Sequence, residues 1–434
     1  MISSFRIKNF KSYRDATLPL APLTLLIGAN ASGKSNAIEA IRLLSMIGSG
    51  DRVDGIVSQI QSSDDLVRGN AWDFPRDREL PLTLGCDLDH GEWSHLEVSL
   101  RLAEDDPKFG VVARVGDEAI CRRDGQYLYR ASSSPDVLGE RVTRFYTDSS
   151  TGPLHAAAAD RAALFASLDM LVSPGLGGRL AQVRDVGAQF RESLMKVRFF
   201  DPQPRRMRGY SYHGERALKE DGENVSAVLL GVHFQLGSGP ILDFVSILPE
   251  QPFVEVGFIE TPRGDVMVRL TESYGGREEI RDAPVLSDGT LRVLGIAAAL
   301  LSAEPGSTII IEEIDNGVHP SRAEMLLRKI ERVAKERDLR VLLTTHNPAL
   351  LDRLPTDSIP HVVCAYRDPE EGDSRLVRLE DLPNYPELVA RGPLGQLMTR
   401  GVLDYFLKHQ ETEEARKARN LRWLETLDAR VRDL

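Results

Sequence analysis

Several things are scarce in this sequence, and each scarcity removes a class of function. Cysteine is rare: Cys86, Cys121 and Cys364 are the only three among 434 residues. They are too scattered to give a metal-ligand spacing or a disulfide framework, and such usage suits a reducing, cytoplasmic compartment. No apolar run approaches the roughly 18 residues that span a bilayer, so no membrane contact is expected. The opening Met1-Ile2-Ser3-Ser4-Phe5-Arg6 lacks a signal-peptide layout. Positive charge is not in excess either. The formal net charge of −11 argues against a uniformly basic nucleic-acid binder but leaves room for a local basic patch.

What is present is a set of separated motifs. Leu23-Thr24-Leu25-Leu26-Ile27 is an apolar run that reads as a buried strand. Gly28-Ala29-Asn30-Ala31-Ser32-Gly33-Lys34-Ser35 follows, and Asn36 to Ile47 has helical spacing at Ile38, Ile41, Leu44 and Ile47. Strand, glycine loop and helix are the context of a phosphate-binding loop. The glycines let the backbone wrap around phosphate oxygens with N–H groups inward. Gly28, Asn30, Gly33, Lys34, Ser35 and Asn36 are thus candidate ATP-binding residues. Lys34 would reach the β- and γ-phosphates and Ser35 would ligate Mg²⁺.

Leu286-Ser287-Asp288-Gly289-Thr290 precedes a helix beginning near Leu291. Ser287 and Gly289 at a helix N-terminus can contact a γ-phosphate, although Ser-Asp-Gly is also an ordinary turn and cap. Ile309-Ile310-Ile311-Glu312-Glu313 is an apolar strand ending in two acids. Glu312 would hold Mg²⁺ and Glu313 would polarise the attacking water. Leu343-Thr344-Thr345-His346 ends in a histidine that could sense the γ-phosphate. Taken singly, the acids also read as a solvated strand end and the histidine as structural. The order of the four motifs is what an ABC ATPase requires. Lys34 and Ser287 lie 253 positions apart (287 − 34), so something large separates the two halves of the site.

Ile2 to Phe10 alternates as an edge strand does, and residues 81–130 read as an antiparallel meander. Residues 152–235 change character. Leu154 to Leu171 is rich in alanine and leucine, and Leu180 to Met195 and Asn224 to Leu236 are helical in pattern. Strands return at Phe253–Phe258 and Val266–Leu270. The expected fold class is α/β: an ABC-type P-loop ATPase head, with a mixed sheet plus β-meander, split by a mostly helical insertion. The expected units are residues 1–151, an N-terminal lobe; 152–235, the insertion; 236–355, a C-terminal lobe; and 356–434, a C-terminal extension.

On these motifs the chain resembles the SMC/RecF/OLD-type branch of ABC ATPases. More narrowly it resembles the stand-alone ATPases used as subunits of prokaryotic anti-phage systems such as PARIS and Septu. The resemblance rests also on Ile7 to Tyr13, Asp221-Gly222-Glu223-Asn224, Glu312 to Pro320 and Thr344 to Asp352. Ala31 stands where the family often has glycine, Glu312 where aspartate is commoner, and Thr290 where transporters have glutamine or glutamate. The glutamine loop is not assigned; Gln59, Gln61 and Gln126 are candidates. The resemblance implies a head-to-tail homodimer or higher homo-oligomer closed on two ATP molecules, with Ser287 and Gly289 of one subunit facing the phosphates held by the other. It also implies an effector protein, a nuclease or toxin, acting in trans, since no nuclease-like cluster follows His346. A RecF-like ATPase binding DNA directly is the alternative, and a transporter ATPase fits less well. Arg198, Arg205, Arg206, Arg208 and Arg216, interleaved with Phe199, Phe200, Tyr210 and Tyr212, would suit DNA contact through the insertion, or form a solvated loop with local packing. The helical spacing of Leu421, Leu424, Leu427, Val431 and Leu434 suits docking on this chain or on a partner.

Overall fold

Three short strands are buried on both faces, and their alternating side chains build two cores at once. Leu23, Leu25 and Ile27 enter one core while Leu26 enters the other; Ile309 and Ile311 oppose Ile310 in the same way, as Val341 and Leu343 oppose Leu342. A computed structural model describes residues 1–62, 66–106, 110–133, 140–146, 154–168, 179–248, 252–315 and 320–409. The Asn316–His319 part of the acidic run and the C-terminal leucine pattern from Leu421 lie outside the described residues.

In chain order the first strands are β1 (Ile2–Phe10), β2 (Tyr13–Pro19), β3 (Leu23–Ile27), β4 (Leu82–Leu88), β5 (His95–Asp106), β6 (Gly110–Cys121), β7 (Tyr127–Ser133), β8 (Glu140–Phe145) and β9 (Leu154–Ala159). There follow β10 (Val197–Phe200), β11 (Ser211–Tyr212), β12 (Phe253–Glu260), β13 (Asp265–Tyr274), β14 (Arg277–Asp282), β15 (Thr308–Ile311), β16 (Arg340–Thr345), β17 (Val363–Arg367) and β18 (Ser374–Arg378). Among the described residues, one 14-stranded sheet runs β10-β15-β16-β3-β17-β18-β2-β1-β4-β5-β6-β7-β8-β9. Its β10-to-β17 part is parallel and its β4-to-β9 part is an antiparallel meander. Strands β11 to β14 form a second sheet. The helices that matter for the site are α1 (Lys34–Gly48), α2 (Val53–Ser62), α3 (Arg179–Met195), α4 (Val225–Leu236) and α5 (Asp288–Leu301).

The fold is of the α/β class expected, a mixed sheet continued by a β-meander, with four local differences. Strand β1 is not an edge strand: β2 covers one side and β4 the other. Its alternation reflects burial on one face, which an interior antiparallel strand shows equally well. The alanine-rich stretch begins as a strand, β9, because the free edge of β8 supplies partners that override helix propensity. Among the described residues of 152–235 the long helices are α3 and α4, with turns and short strands between them, and the segment is tied into the head. Strand β10 joins the sheet beside β15, and Ser45 of α1 donates to the Leu194 carbonyl of α3 at 2.8 Å. Finally, the stretch read as an extension contributes β17, directly beside the P-loop strand β3.

The meander is knitted by a polar cluster across β4 and β5. His95 Nδ1 lies 2.6 Å from Asp87 Oδ1, and His95 Nε2 lies 3.4 Å from Glu97 Oε1. Burial pushes the His95 imidazole down, but its bonds to Asp87 and Glu97 outweigh this and hold it above its ordinary value. Hydrogen bonds from His95 and Lys8 hold Glu97 down to about 2. Stability from the raised histidine is fully present below its ordinary pKa of about 6.5 and is lost as pH rises through the folded value. The thermal midpoint of the protein should therefore fall as pH rises above the ordinary histidine value of about 6.5. In His95→Gln that fall should be shallower; an unchanged slope in a pH series of melting curves would remove the cluster from the account.

Candidate functional site

The parallel register delivers the motifs to one edge. Ile27 pairs with Thr345 and Ile311 with Leu343, so Gly28, Glu312 and His346 all follow the carboxyl ends of adjacent strands. A cavity of about 340 Å³ lies there, lined by Ala29 to Asn36, Glu312, Glu313, Thr344 to His346, Arg68 and Arg367.

The loop is shaped by backbone that side chains resist. Gly28 has φ 152° and Gly33 φ 115°. A Cβ at Gly28 would meet the Ala365 carbonyl oxygen at 2.2 Å, and one at Gly33 would meet Ser374 Oγ at 2.4 Å. The β17–β18 hairpin thus underlies the loop. Tyr13 donates to the Gly33 carbonyl at 3.0 Å and Arg367 to the Ala31 carbonyl at 3.2 Å. Asn36 Nδ2 donates to Ser12 Oγ at 2.8 Å, and Ser374 Oγ donates to the same atom at 2.7 Å. Ala31, where the family often has glycine, sits at φ 64° and carries left-handed strain.

Lys34 Nζ donates to the carbonyls of Gly28 at 2.6 Å and Ala29 at 3.1 Å. Burial draws its ammonium below the ordinary lysine value, and nearby Glu313 partly opposes this. Glu312 follows β15, where its N–H donates to the Phe200 carbonyl at 3.1 Å. Burial first, then the neighbouring Asp201, pushes its carboxyl up to about 7. Glu313 takes φ 48°, a strained value for a non-glycine residue. Its N–H donates to Thr344 Oγ1 at 3.0 Å, and Ile314 N–H donates to the Thr344 carbonyl at 3.1 Å. The acid pair and the strand leading to His346 are therefore bolted together. His346 is exposed to the cavity.

The residues fit a nucleoside triphosphate with a divalent cation. The glycine cradle is one a Cβ would fill, cationic Lys34, Arg68 and Arg367 line it, and a half-buried carboxyl, Glu312, raised to about 7 stands at its end. Arg68 and Arg367 were not found by sequence reasoning. Arg68 follows α2 and pairs with Glu39 at 2.7 Å, and Arg367 ends β17; each is a single arginine with no periodicity to mark it.

Ser287 and Gly289 do not line this cavity. Ser287 caps α5, with Thr290 N–H donating to its Oγ at 3.1 Å, and it is exposed. Gln59 and Gln61 lie on α2 and Gln126 in the turn after β6, and no glutamine lines the cavity among the described residues. Much of the arginine-rich stretch is committed within the chain. Arg206 pairs with Asp221 and Glu223, each at 2.8 Å, and Arg208 pairs with Asp288. Phe200 is buried, whereas Arg205, Arg216, Tyr210 and Tyr212 are exposed. No helix among the described residues is long and apolar enough to cross a membrane.

Two family models match the chain. One, described as "AAA ATPase domain", covers residues 1–64, and the other, "AAA domain, putative AbiEii toxin, Type IV TA system", covers residues 172–352. The DNA replication and repair protein RecF of Chlamydia abortus (strain DSM 27085 / S26/3) is 46% identical over 46 residues, 10% of this chain and 12% of that protein. RecF of Cyanothece sp. (strain PCC 7425 / ATCC 29141) is 43% identical over 47 residues, 11% of this chain and 12% of that protein. Among solved structures, the SMC head domain from Thermotoga maritima aligns with a TM-score of 0.38 at 14% identity, covering 87% of this chain and 98% of that one. An SmcHead bound to the C-winged helix domain of ScpA aligns at 0.45 and 13%, covering 87% and 96%.

The loop geometry sets two opposite outcomes. Ala31→Gly should be neutral to stabilising by up to about 1 kcal/mol, because relief of left-handed strain offsets the entropy of glycine. Gly33→Ala should lose the stabilisation that ATP gives the wild-type protein in a thermal-shift titration. Equal ATP stabilisation in both variants would show that the loop does not need this shape.

Proposed function

We propose that the chain is an ABC-type ATPase of the SMC/RecF kind, a reading supported by both matching ATPase family models and the short RecF matches, and that its ATP-driven dimerisation controls a partner protein. The partner fits best as a nuclease or toxin effector of an anti-phage defence complex, with this chain as sensor and scaffold. One observation carries the reading. The cavity gathers Lys34, Ser35, Glu312, Glu313 and His346 within one chain but lacks Ser287 and Gly289, which stand, exposed and half-buried respectively, on a separate helix end. A second copy of the chain would complete it, so nucleotide occupancy becomes a clamp. The defence assignment draws on the toxin–antitoxin wording of one matching family model.

In this reading Gly28, Asn30, Gly33 and Asn36 shape the phosphate cradle, and Lys34 neutralises the β- and γ-phosphates. Ser35 and Glu312 would hold Mg²⁺, which would supply charge neutralisation on the phosphate oxygens. Glu313 accepts a proton from the attacking water and sets its direction. His346 contacts the γ-phosphate and leaves that contact once the phosphate departs. Ser287 and Gly289 add hydroxyl and N–H donors from the second subunit at a helix N-terminus.

Glu313→Gln should keep ATP binding, slow turnover by roughly 10²-fold or more, and accumulate a dimer with ATP and Mg²⁺ in light scattering. Normal turnover would remove Glu313 from its role. Lys34→Ala should abolish nucleotide binding; undiminished binding would undo the loop assignment. For the biological role, Glu313→Gln purified from its native host with ATP should bring down a protein whose sequence identifies it as a nuclease or toxin. A chain that instead binds DNA alone, in an ATP-dependent and salt-sensitive way, would favour a RecF-like repair ATPase.

A further inference from the structure

The segment between β10 and β11 makes contacts at both ends that sequence reasoning did not anticipate. At its start, the Phe200 carbonyl accepts from Glu312 N–H at 3.1 Å. Further on, Met207 is fully buried, and a Cβ added at Gly295 of α5 would meet Phe200 Cζ at 2.6 Å and Met207 Cε at 2.9 Å. Phe200 and Met207 therefore press directly on the helix whose N-terminus carries Ser287. The next residue, Arg208, reaches the loop before that helix. Its Nη1 donates to the Leu286 carbonyl at 2.7 Å and the Pro284 carbonyl at 2.8 Å, and its Nη2 to Asp288 Oδ1 at 2.5 Å. One guanidinium thus spans the residues on both sides of Ser287.

The segment is braced from behind. Asp201 N–H donates to the Glu220 carbonyl at 2.9 Å, and Gln203 N–H to the Asp221 carbonyl at 3.0 Å. Arg206 Nε pairs with Asp221 at 2.8 Å, and Gly222 turns at φ 77° against Met207. Asn224 closes the turn, accepting from Lys219 N–H at 2.9 Å and donating to the Ala217 carbonyl at 2.8 Å. The Asp221-to-Asn224 motif is therefore the bracket of the arginine loop.

We infer that Arg208 is the positioning residue of the Ser287–Gly289 loop, fixing it in the shape that meets a nucleotide held by a second copy of this chain. This deepens the proposed function and rests on its reading of Ser287. The chemistry requires arginine, because a planar fork can serve two carbonyls and a carboxylate together, whereas an ammonium is a point donor. Without the fork, the loop before α5 loses its tie to the β10 end of the cavity.

The test uses the full chain carrying Glu313→Gln, with ATP and Mg²⁺. Two quantities are measured: ATP-dependent dimerisation by light scattering, and binding of a fluorescent ATP analogue to the P-loop. Arg208→Ala should weaken dimerisation roughly tenfold or more, as expected when charge-assisted hydrogen bonds are lost, while analogue binding stays within about twofold of the parent. Arg208→Lys should recover part of the loss. Ser287→Asp serves as the reference: aspartate preserves the helix cap but sets negative charge against the incoming phosphate. If Ser287→Asp blocks dimerisation and Arg208→Ala does not, the inference about Arg208 fails while the two-subunit site stands. If neither variant affects dimerisation, the reading of Ser287 itself fails and takes the inference with it. If Arg208→Ala loses analogue binding as well, Arg208 supports the whole head, and its specific role is overturned.

Discussion

The structure depends on the parallel register of β10, β15, β16 and β3. Each of these strands is short, and the alternating residues of β3, β15 and β16 feed the two cores. A slip of one residue in any of them would exchange every side chain between cores. That constraint also fixes the chemistry. Because Ile27 lies opposite Thr345 and Ile311 opposite Leu343, the glycine loop, the acid pair and the histidine must emerge together. Thr344 then locks the acid pair to the histidine strand through two short contacts. No flexible assembly step is needed for the half-site within one chain.

Much of this was legible in the sequence because the same residues carry both a folding signal and a chemical one. A buried run ending in Gly28, and an apolar run ending in Glu312-Glu313, announce strand ends by composition alone. The glycine positions were legible for a steric reason, since the backbone there passes within a Cβ of Ala365 and Ser374. Arg68 and Arg367 were not legible, and Arg208 was read only as one of a run of arginines suited to DNA, not as a tie to the Ser287 loop. Each acts through contacts made in folded space with residues distant in sequence, and a single arginine has no pattern that announces such contacts. The alanine-rich start of β9 misled because propensity is local while strand pairing is not. The position of β1 inside the sheet was hidden because one-sided burial gives the same alternation at an edge and in the interior.

The arginine-rich stretch shows how a composition signal divides once geometry is known. Its aromatic and basic residues suggested nucleic-acid contact, but Arg206 and Arg208 are committed to acids and carbonyls of this chain. Exposed Arg205, Arg216, Tyr210 and Tyr212 are what remains for an outside partner. Seen this way, the long separation between Lys34 and Ser287 has a mechanical meaning. The intervening chain returns to the sheet as β10, beside the acid pair, and then crosses to the loop before α5. That crossing joins the P-loop half and the Ser287 loop within one subunit; in the proposed dimer, nucleotide would join them across two.

The central claim is that the P-loop of one chain faces Ser287 of another when ATP is bound. Cys86, Cys121 and Cys364 are buried, so introduced surface cysteines can be read cleanly. One population would carry Glu370→Cys, in the exposed turn beside Arg367, and the other Val285→Cys, exposed just before Ser287. Both would be built on Glu313→Gln, mixed, and treated with a flexible bifunctional maleimide. The account expects a cross-linked heterodimer that forms with ATP and Mg²⁺ and is absent without nucleotide. Failure of that cross-link in a sample that binds ATP, or its equal formation without ATP, would contradict it.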